Sequence, residues 1–92
     1  MFQRDPVSIN TAIGQDIVLN CLPPIGIPIP DVTWEKDDQL LNVSENPRYI
    51  ILDGGSLQIT TVEADDAGGY MCVATNIAKR RNSERAVLTV VA

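Results

Sequence analysis

Residues 65–72 read "DDAGGYMC", a turn signal followed directly by an alternating run that ends in a cysteine. Aspartate and glycine are favoured in turns, so the chain is expected to reverse direction across the first five residues of this stretch. Successive side chains of a strand point to opposite faces, which places Tyr70 and Cys72 on the same face. A second alternating run, "DIVLNC" at 16–21, ends in Cys21 and likewise presents one apolar face.

Cys21 and Cys72 are the only cysteines of the chain, which contains no histidine. Two cysteines alone cannot complete a tetrahedral zinc site, and their separation is too long for a CxxC redox motif. One long-range disulfide is the favoured interpretation, and two buried free thiols are the alternative. The disulfide would imply an oxidising compartment, and closing a loop of about 50 residues would stabilise the fold by roughly 4 kcal/mol.

Alternation with a period of two recurs along the chain, whereas no segment shows a convincing helical period. Turn signals such as "KDDQ" at 36–39 and "DGG" at 53–55 separate the alternating runs. Short strands at this spacing, without helices, predict an all-β sandwich or barrel that forms a single domain over residues 1–92. The further runs are "DVTWEK", "RYIIL", "SLQIT", "YMCVA" and "RAVLTVV".

The cysteines and the single tryptophan decide between a sandwich and a barrel. Trp34 follows Cys21, and Tyr70 stands two residues before Cys72. This is the Cys…Trp…Cys pattern of an immunoglobulin sandwich, in which Tyr70 is the tyrosine corner. A disulfide requires Cα atoms within about 7 Å, so the two cysteine strands would face each other across the core. The sequence therefore predicts a two-sheet immunoglobulin-like sandwich.

A structural ion pair is predicted beside the turn that precedes Tyr70. Asp66 lies in that turn, and Arg48 begins the run "RYIIL", which such a fold brings nearby. A bidentate, partly shielded pair between the two is expected, because guanidinium and carboxylate groups match in geometry. The alternative is two solvated surface charges.

The pattern "DxGxYxC", formed by Asp66, Gly68, Tyr70 and Cys72, is followed by "VATN" at 73–76. This resembles the intermediate-set (I-set) immunoglobulin domains of cell-surface receptors over essentially the whole chain. Narrower features are similar to the second immunoglobulin domain of Roundabout axon-guidance receptors. Contactins, receptor tyrosine phosphatases and the netrin-receptor group are the alternatives. The narrower features are "MFQRDPVSIN", "PPIGIPIP", "DGGSLQI", "CVATN" and "RRNSERAVLTV".

The resemblance implies an extracellular recognition or adhesion module of a plasma-membrane receptor that binds secreted Slit proteins with assistance from heparan sulfate. In that family the principal Slit surface lies on the first immunoglobulin domain. This chain would then be a supporting module, with a neighbouring immunoglobulin domain and a protein ligand as partners. A structural spacer, including one from an intracellular muscle-type array, is the alternative. One departure is Lys79, which stands where such domains usually carry a glycine in the hairpin after "ATN".

Composition argues against several other functions. The net charge of −5 argues against a nucleic-acid partner, and no apolar run approaches the roughly 20 residues of a membrane span, so no direct membrane contact is expected. Without histidine, a GxSxG motif or a glycine-rich phosphate loop, neither catalysis nor a cofactor or metal is expected. A lone Met1 without a signal peptide behind it suggests a domain excised from a longer multidomain receptor.

Three features are candidate sites of recognition or modification. Asn42 begins the N-glycosylation sequon "NVS". Lys79, Arg80 and Arg81 form a positive cluster predicted in a hairpin turn, where they could contact heparan sulfate or simply be solvated. The third feature is "CLPPIGIPIPDVTW" at 21–34, in which four prolines exclude regular structure and predict a loop before the run "DVTWEK".

The isoleucines of that loop need an explanation, because loops seldom carry several large apolar side chains. Ile25, Ile27 and Ile29 alternate with glycine and proline between Cys21 and Trp34. They could pack beneath the loop, bind a ligand or contact a neighbouring domain. The contact with a neighbouring domain is the favoured interpretation, because proline restricts the loop before binding and so lowers the entropy cost of ordering it.

Overall fold

Nine β-strands in two sheets make up the fold in the computed structural model, which describes residues 1–92. The first sheet has the order β1-β9-β7-β3-β4, with β8 also paired to β7, and the second has the order β2-β6-β5. All pairs are antiparallel except β1 with β9. The strands are β1 Ile9–Ala12, β2 Ile17–Leu19, β3 Asp31–Lys36, β4 Gln39–Leu40, β5 Tyr49–Ile51, β6 Leu57–Ile59, β7 Gly68–Thr75, β8 Arg80–Asn82 and β9 Ala86–Val91.

The alternating runs place their apolar faces between the two sheets, as predicted. Tyr70, Cys72 and Ala74 of β7 are buried on one side of the core, and Ile17 and Leu19 of β2 are buried on the other. The sulfurs of Cys21 and Cys72 are bonded across the core, with their Cα atoms 6.4 Å apart. The predicted two-sheet sandwich with one inter-sheet disulfide is confirmed.

Trp34 lies at the centre of the core and is only 1% exposed. Its Nε1 atom donates a hydrogen bond of 2.8 Å to the carbonyl oxygen of Gly55, so its one polar group is satisfied. Gly55 has a φ of +118°, and a Cβ there would lie 3.1 Å from the side chain of Val32. The second glycine of the predicted "DGG" turn is thus required both by its backbone conformation and by close packing.

Strands β1, β4 and β8 are absent from the sequence prediction. Strands β4 and β8 have two and three residues, all exposed, so neither shows an apolar face. Before β1 the chain is paired with the segment that follows β2, because Arg4 forms an isolated bridge with Leu22. It then crosses to run parallel with β9, where the Ser8 hydroxyl accepts a 2.9 Å hydrogen bond from the Val87 amide. None of the short helical turns is long or apolar enough to cross a membrane.

Asp66 lies in the 3₁₀ turn Ala64–Asp66 between β6 and β7 and is only 1% exposed. Its Oδ2 atom accepts hydrogen bonds of 2.7 Å from Arg48 Nη1 and 2.7 Å from the Glu63 amide. Its Oδ1 atom accepts bonds of 3.0 Å from Arg48 Nη2 and 2.5 Å from the Tyr49 hydroxyl. Arg48 and Asp66 therefore form a bidentate pair and are not two separate solvated charges.

The same aspartate is joined to the tyrosine corner. The hydroxyl of Tyr70 donates a hydrogen bond of 2.6 Å to the backbone carbonyl of Asp66. Burial by itself would raise the pKa of the Asp66 carboxyl, but hydrogen bonds from Arg48, the Glu63 amide and Tyr49 outweigh it and hold the pKa at about 2. This carboxylate therefore stays charged in the folded domain at neutral pH.

Candidate interaction surface at one end of the sandwich

Residues 20–30 connect β2 to β3, and residues 22–30 of this connection are called the proline loop below. Its three isoleucines are almost fully exposed, at 86% for Ile25, 94% for Ile27 and 86% for Ile29. The alternative in which these side chains pack beneath the loop is therefore wrong. The peptide bond between Ile27 and Pro28 is cis.

Polar contacts from other segments hold the proline loop in place. The Asn76 side chain donates a 2.9 Å hydrogen bond from Nδ2 to the carbonyl of Pro28. Gln3 donates one of 2.9 Å from Nε2 to the carbonyl of Pro23. Gly26 packs closely against the same asparagine, since a Cβ there would lie 3.3 Å from Nδ2 of Asn76. The loop is thus held by its backbone carbonyls, which leaves its isoleucine side chains free.

Residues 76–79 form the hairpin turn between β7 and β8. The Oδ1 atom of Asn76 accepts hydrogen bonds of 2.9 Å from the backbone amides of Ala78 and Lys79. The backbone amide of Asn76 donates one of 2.9 Å to the Lys79 carbonyl. No residue of the turn has a positive φ. Lys79 therefore fits this position without glycine, because the asparagine side chain closes a turn that needs no left-handed residue.

The hairpin turn adds a fourth exposed isoleucine to this end of the domain, and its role was not predicted from the sequence. Ile77 is 94% exposed in a turn that Asn76 binds to the proline loop. The only signal in the sequence is a large apolar residue inside a predicted turn. Ile25, Ile27, Ile29 and Ile77 together are called the pole surface.

The three cations predicted to share the hairpin turn are divided by the structure. Arg80 and Arg81 belong to β8, so only Lys79 lies in the turn. Arg80 is paired with exposed Thr75 and Arg81 with buried Ala74, so the two arginines extend from opposite faces of the sheet. The prediction of one cluster in the turn is wrong, because the strand begins one residue after Lys79.

The two arginines also have different electrostatic surroundings. Arg80 forms an ion pair with Glu35, with 2.8 Å between Nη2 and Oε2. Arg81 has no carboxylate partner, and together with Lys79 it lines a cavity beside Ile25 and Ile27. Positive charge that is not compensated within the domain therefore lies next to the pole surface.

Asn42 is exposed and follows β4, the strand at one edge of the first sheet. The hydroxyl of Ser44 donates a 2.7 Å hydrogen bond to the Oδ1 atom of Asn42. A glycan on Asn42 would extend from this edge, whereas the pole surface is formed by the proline loop and the hairpin turn. Glycosylation and contact at the pole surface are therefore compatible.

Two sheets joined by a disulfide over a buried tryptophan, with a tyrosine corner beneath, define an immunoglobulin domain. The chain belongs to the immunoglobulin I-set domain family, whose sequence profile matches residues 1–90.

The chain is similar to one curated protein in sequence and to two solved structures in fold. The chain is 40% identical over 89 residues to Roundabout homolog 1 of Mus musculus, which covers 97% of this chain and 5% of that protein. The N-terminal Ig1-2 module of Drosophila receptor protein tyrosine phosphatase DLAR has a TM-score of 0.91 at 32% identity, covering 100% of this chain and 45% of that one. An immunoglobulin complex of titin M10 and obscurin-like 1 has a TM-score of 0.86 at 35% identity, covering 99% of this chain and 92% of that one. The chain thus spans a small part of the Roundabout protein.

Proposed function

We propose that this domain is an extracellular recognition module of an adhesion- or guidance-type receptor, and that its pole surface packs against a neighbouring immunoglobulin domain. The observation that carries the proposal is the exposure of Ile25, Ile27, Ile29 and Ile77, between 86% and 94%. Several large apolar side chains exposed on two loops that are bonded to each other mark an interaction site on a soluble domain. The domain would fix the angle between itself and its neighbour.

Burial of the pole surface would supply enough free energy to hold two domains together. Burying one isoleucine side chain is worth roughly 1.5–3 kcal/mol relative to its exposure, so two could hold an interdomain angle. The hydrogen bond from Asn76 to Pro28 joins the two loops before any partner is bound. A loop already held in shape loses less conformational entropy on binding than a flexible one.

The tandem arrangement of similar proteins supports a neighbouring domain as the partner. The similar DLAR structure is an Ig1-2 module of a receptor. Met1 lies beside Ile25 and Ile27, so a preceding domain in a tandem chain would join at the pole surface. Support of a Slit-like ligand would follow from the similarity to Roundabout homolog 1, with this domain setting geometry rather than supplying the main binding surface.

A structural spacer in another array is the second candidate, and the similarity to titin favours it. Two features favour the extracellular module instead. The disulfide between Cys21 and Cys72 suits an oxidising compartment, and the sequon at Asn42 is exposed. We therefore place the domain in the extracellular part of a plasma-membrane receptor.

The interdomain contact is tested by replacing Ile27 and Ile29 with serine. We expect the melting temperature of the isolated domain to be unchanged, because both side chains are exposed. In a protein that also contains the preceding domain, we expect small-angle scattering to show a wider spread of interdomain angles. Val7→Ser with Leu40→Ser is a matched control, because both residues are 69% exposed and lie outside the pole surface.

Two results would reject the interdomain contact. One is a large fall in the melting temperature of the isolated serine variant, which would mean that the isoleucines serve this domain's own core. The other is an unchanged distribution of angles in the two-domain protein. Equal broadening in the control variant would show that the effect is not specific to the pole surface.

The extracellular placement is tested at Asn42. When the domain is secreted from animal cells, we expect a glycan that N-glycosidase removes, and we expect Asn42→Gln to abolish the mass shift. Asn46→Gln is the matched control, because Asn46 is exposed in the same region but precedes a proline and begins no sequon. A wild-type protein without the mass shift would count against the site and the placement.

A further inference from the structure

A cavity of about 270 Å³ lies between the proline loop and the hairpin turn. Its walls are mixed in character, because prolines, isoleucines and alanines alternate with two cationic side chains. No aspartate or glutamate lines it. Among the residues that line it are Pro24, Ile25, Ile27, Asn76, Lys79 and Arg81.

The two cations of this cavity are unusual within the domain. The chain has 7 lysines and arginines against 12 acidic residues, so most cations find a partner. Four of the seven are engaged: Arg48, Arg80 and Arg85 pair with carboxylates, and Lys36 donates to the backbone carbonyl of Asp65. The three without a carboxylate or carbonyl partner are Arg4, Lys79 and Arg81, and the last two line the cavity.

The surroundings of Lys79 and Arg81 determine which chemistry fits. An arginine presents a planar fork of donors that binds a carboxylate through two parallel hydrogen bonds. Docking of an apolar segment against Ile25 and Ile27 would exclude water from the cavity, and ion pairs strengthen as the local dielectric falls. An occupant that combines a carboxylate with apolar neighbours satisfies both halves of the lining.

We propose, resting on the interdomain contact of the proposed function, that the neighbouring domain inserts an aspartate or glutamate side chain between Lys79 and Arg81. Apolar residues on either side of that carboxylate pack against Ile25 and Ile27. The isoleucines supply the burial and the two cations select the register, because only one placement of the neighbour pairs the carboxylate.

A sulfated polysaccharide fits the same charges less well. Such a chain is bound by an extended row of cations, and here only two lie together beside apolar walls. Arg80, the next cation along the chain, extends from the other face of the sheet and is paired with Glu35. The domain's net charge of −5 would also repel a polyanion.

The test uses the two-domain protein and compares Arg81→Glu with Arg4→Glu. The control makes the same change of charge at an arginine that is also unpaired but lies outside the cavity. For Arg81→Glu we expect the ratio of open to docked orientations to rise about fivefold at low salt. The wild type is expected to open as salt rises from about 0.05 to about 1 M, because ions screen the pair. Arg81→Glu should lose this salt dependence, and Arg4→Glu should behave as the wild type.

The outcomes separate this inference from the proposed function. If Ile27→Ser with Ile29→Ser opens the two domains and Arg81→Glu does not, the interdomain contact stands and the carboxylate site is rejected. If neither variant opens them, both proposals are rejected. If Arg81→Glu leaves the orientation unchanged but lowers the salt concentration that elutes the protein from heparin, the cavity binds a sulfated polysaccharide and the inference is overturned.

Discussion

Replacing Asp66 with asparagine is expected to lower the free energy of unfolding by about 3 kcal/mol, since the buried hydroxyl of Tyr49 and the Glu63 amide lose their acceptor and Arg48 keeps only Glu63 as a carboxylate partner. The carboxylate accepts four hydrogen bonds, two from Arg48 and one each from Tyr49 and the Glu63 amide. An asparagine side chain has one acceptor oxygen and an amide that would point at donors. The loss is therefore expected as a lower denaturant midpoint in urea unfolding.

Asp65→Asn is the matched control, because Asp65 is exposed in the same turn. A surface substitution of this kind changes stability by less than about 0.5 kcal/mol. Equal midpoints for the two variants would contradict the structural role given to Asp66.

The same carboxylate predicts how stability depends on pH. Its pKa is about 2 in the folded domain against an ordinary value of 3.8, so folding favours the charged form. A lowered pKa contributes stability above the unfolded value, here about 2 kcal/mol, which is lost as pH falls from about 4 to about 2. We expect the wild type to lose more stability over this range than Asp66→Asn does. Parallel pH profiles of the two proteins would contradict the assignment.

Removing the disulfide is expected to lower the free energy of unfolding by an amount similar to that expected for Asp66→Asn. Cys21 and Cys72 are separated by 51 residues, and freeing a loop of that length costs about 4 kcal/mol in the chain-entropy description. Stability of a small domain is of the order of 5–15 kcal/mol, so Cys21→Ala with Cys72→Ala would leave the fold marginal. Urea unfolding of the double variant measures this directly.

Reduction of the wild type provides the control for packing. It breaks the same bond while keeping both sulfurs in the core, so the reduced wild type and the double variant should shift in the same direction. A maleimide that labels both cysteines of the unreduced, denatured wild type would show free thiols. That result would contradict the disulfide and weaken the extracellular placement.

The core could be predicted from the sequence because its residues carry chemically distinctive signals. Few folds share the spacing of Cys21, Trp34, Tyr70 and Cys72. The alternating runs around these residues indicate which face of each strand is buried. Strands β4 and β8 carry no such signal, because their residues are exposed and their pairing depends on partners far along the chain. Their absence from the prediction also misplaced Arg80 and Arg81 in a turn.

The exposure of the proline loop could not be decided from its own residues. Prolines and isoleucines in alternation are compatible with side chains packed inward or pointing outward. The structure depends on Asn76, which lies 48 residues beyond Pro28 and binds its carbonyl. This hydrogen bond forms only because the fold brings the two loops together, so it cannot be predicted from the residues of either loop alone.

The central claim, that a neighbouring domain covers the pole surface, is tested most directly by isoleucine methyl NMR with a soluble paramagnetic reagent. We expect the relaxation enhancement at the methyls of Ile27 and Ile29 to fall severalfold when the preceding domain is attached. Ile13 and Ile50, which are also exposed but lie elsewhere on the domain, should be unchanged. Equal enhancement at Ile27 and Ile29 in the one-domain and two-domain proteins would contradict the claim.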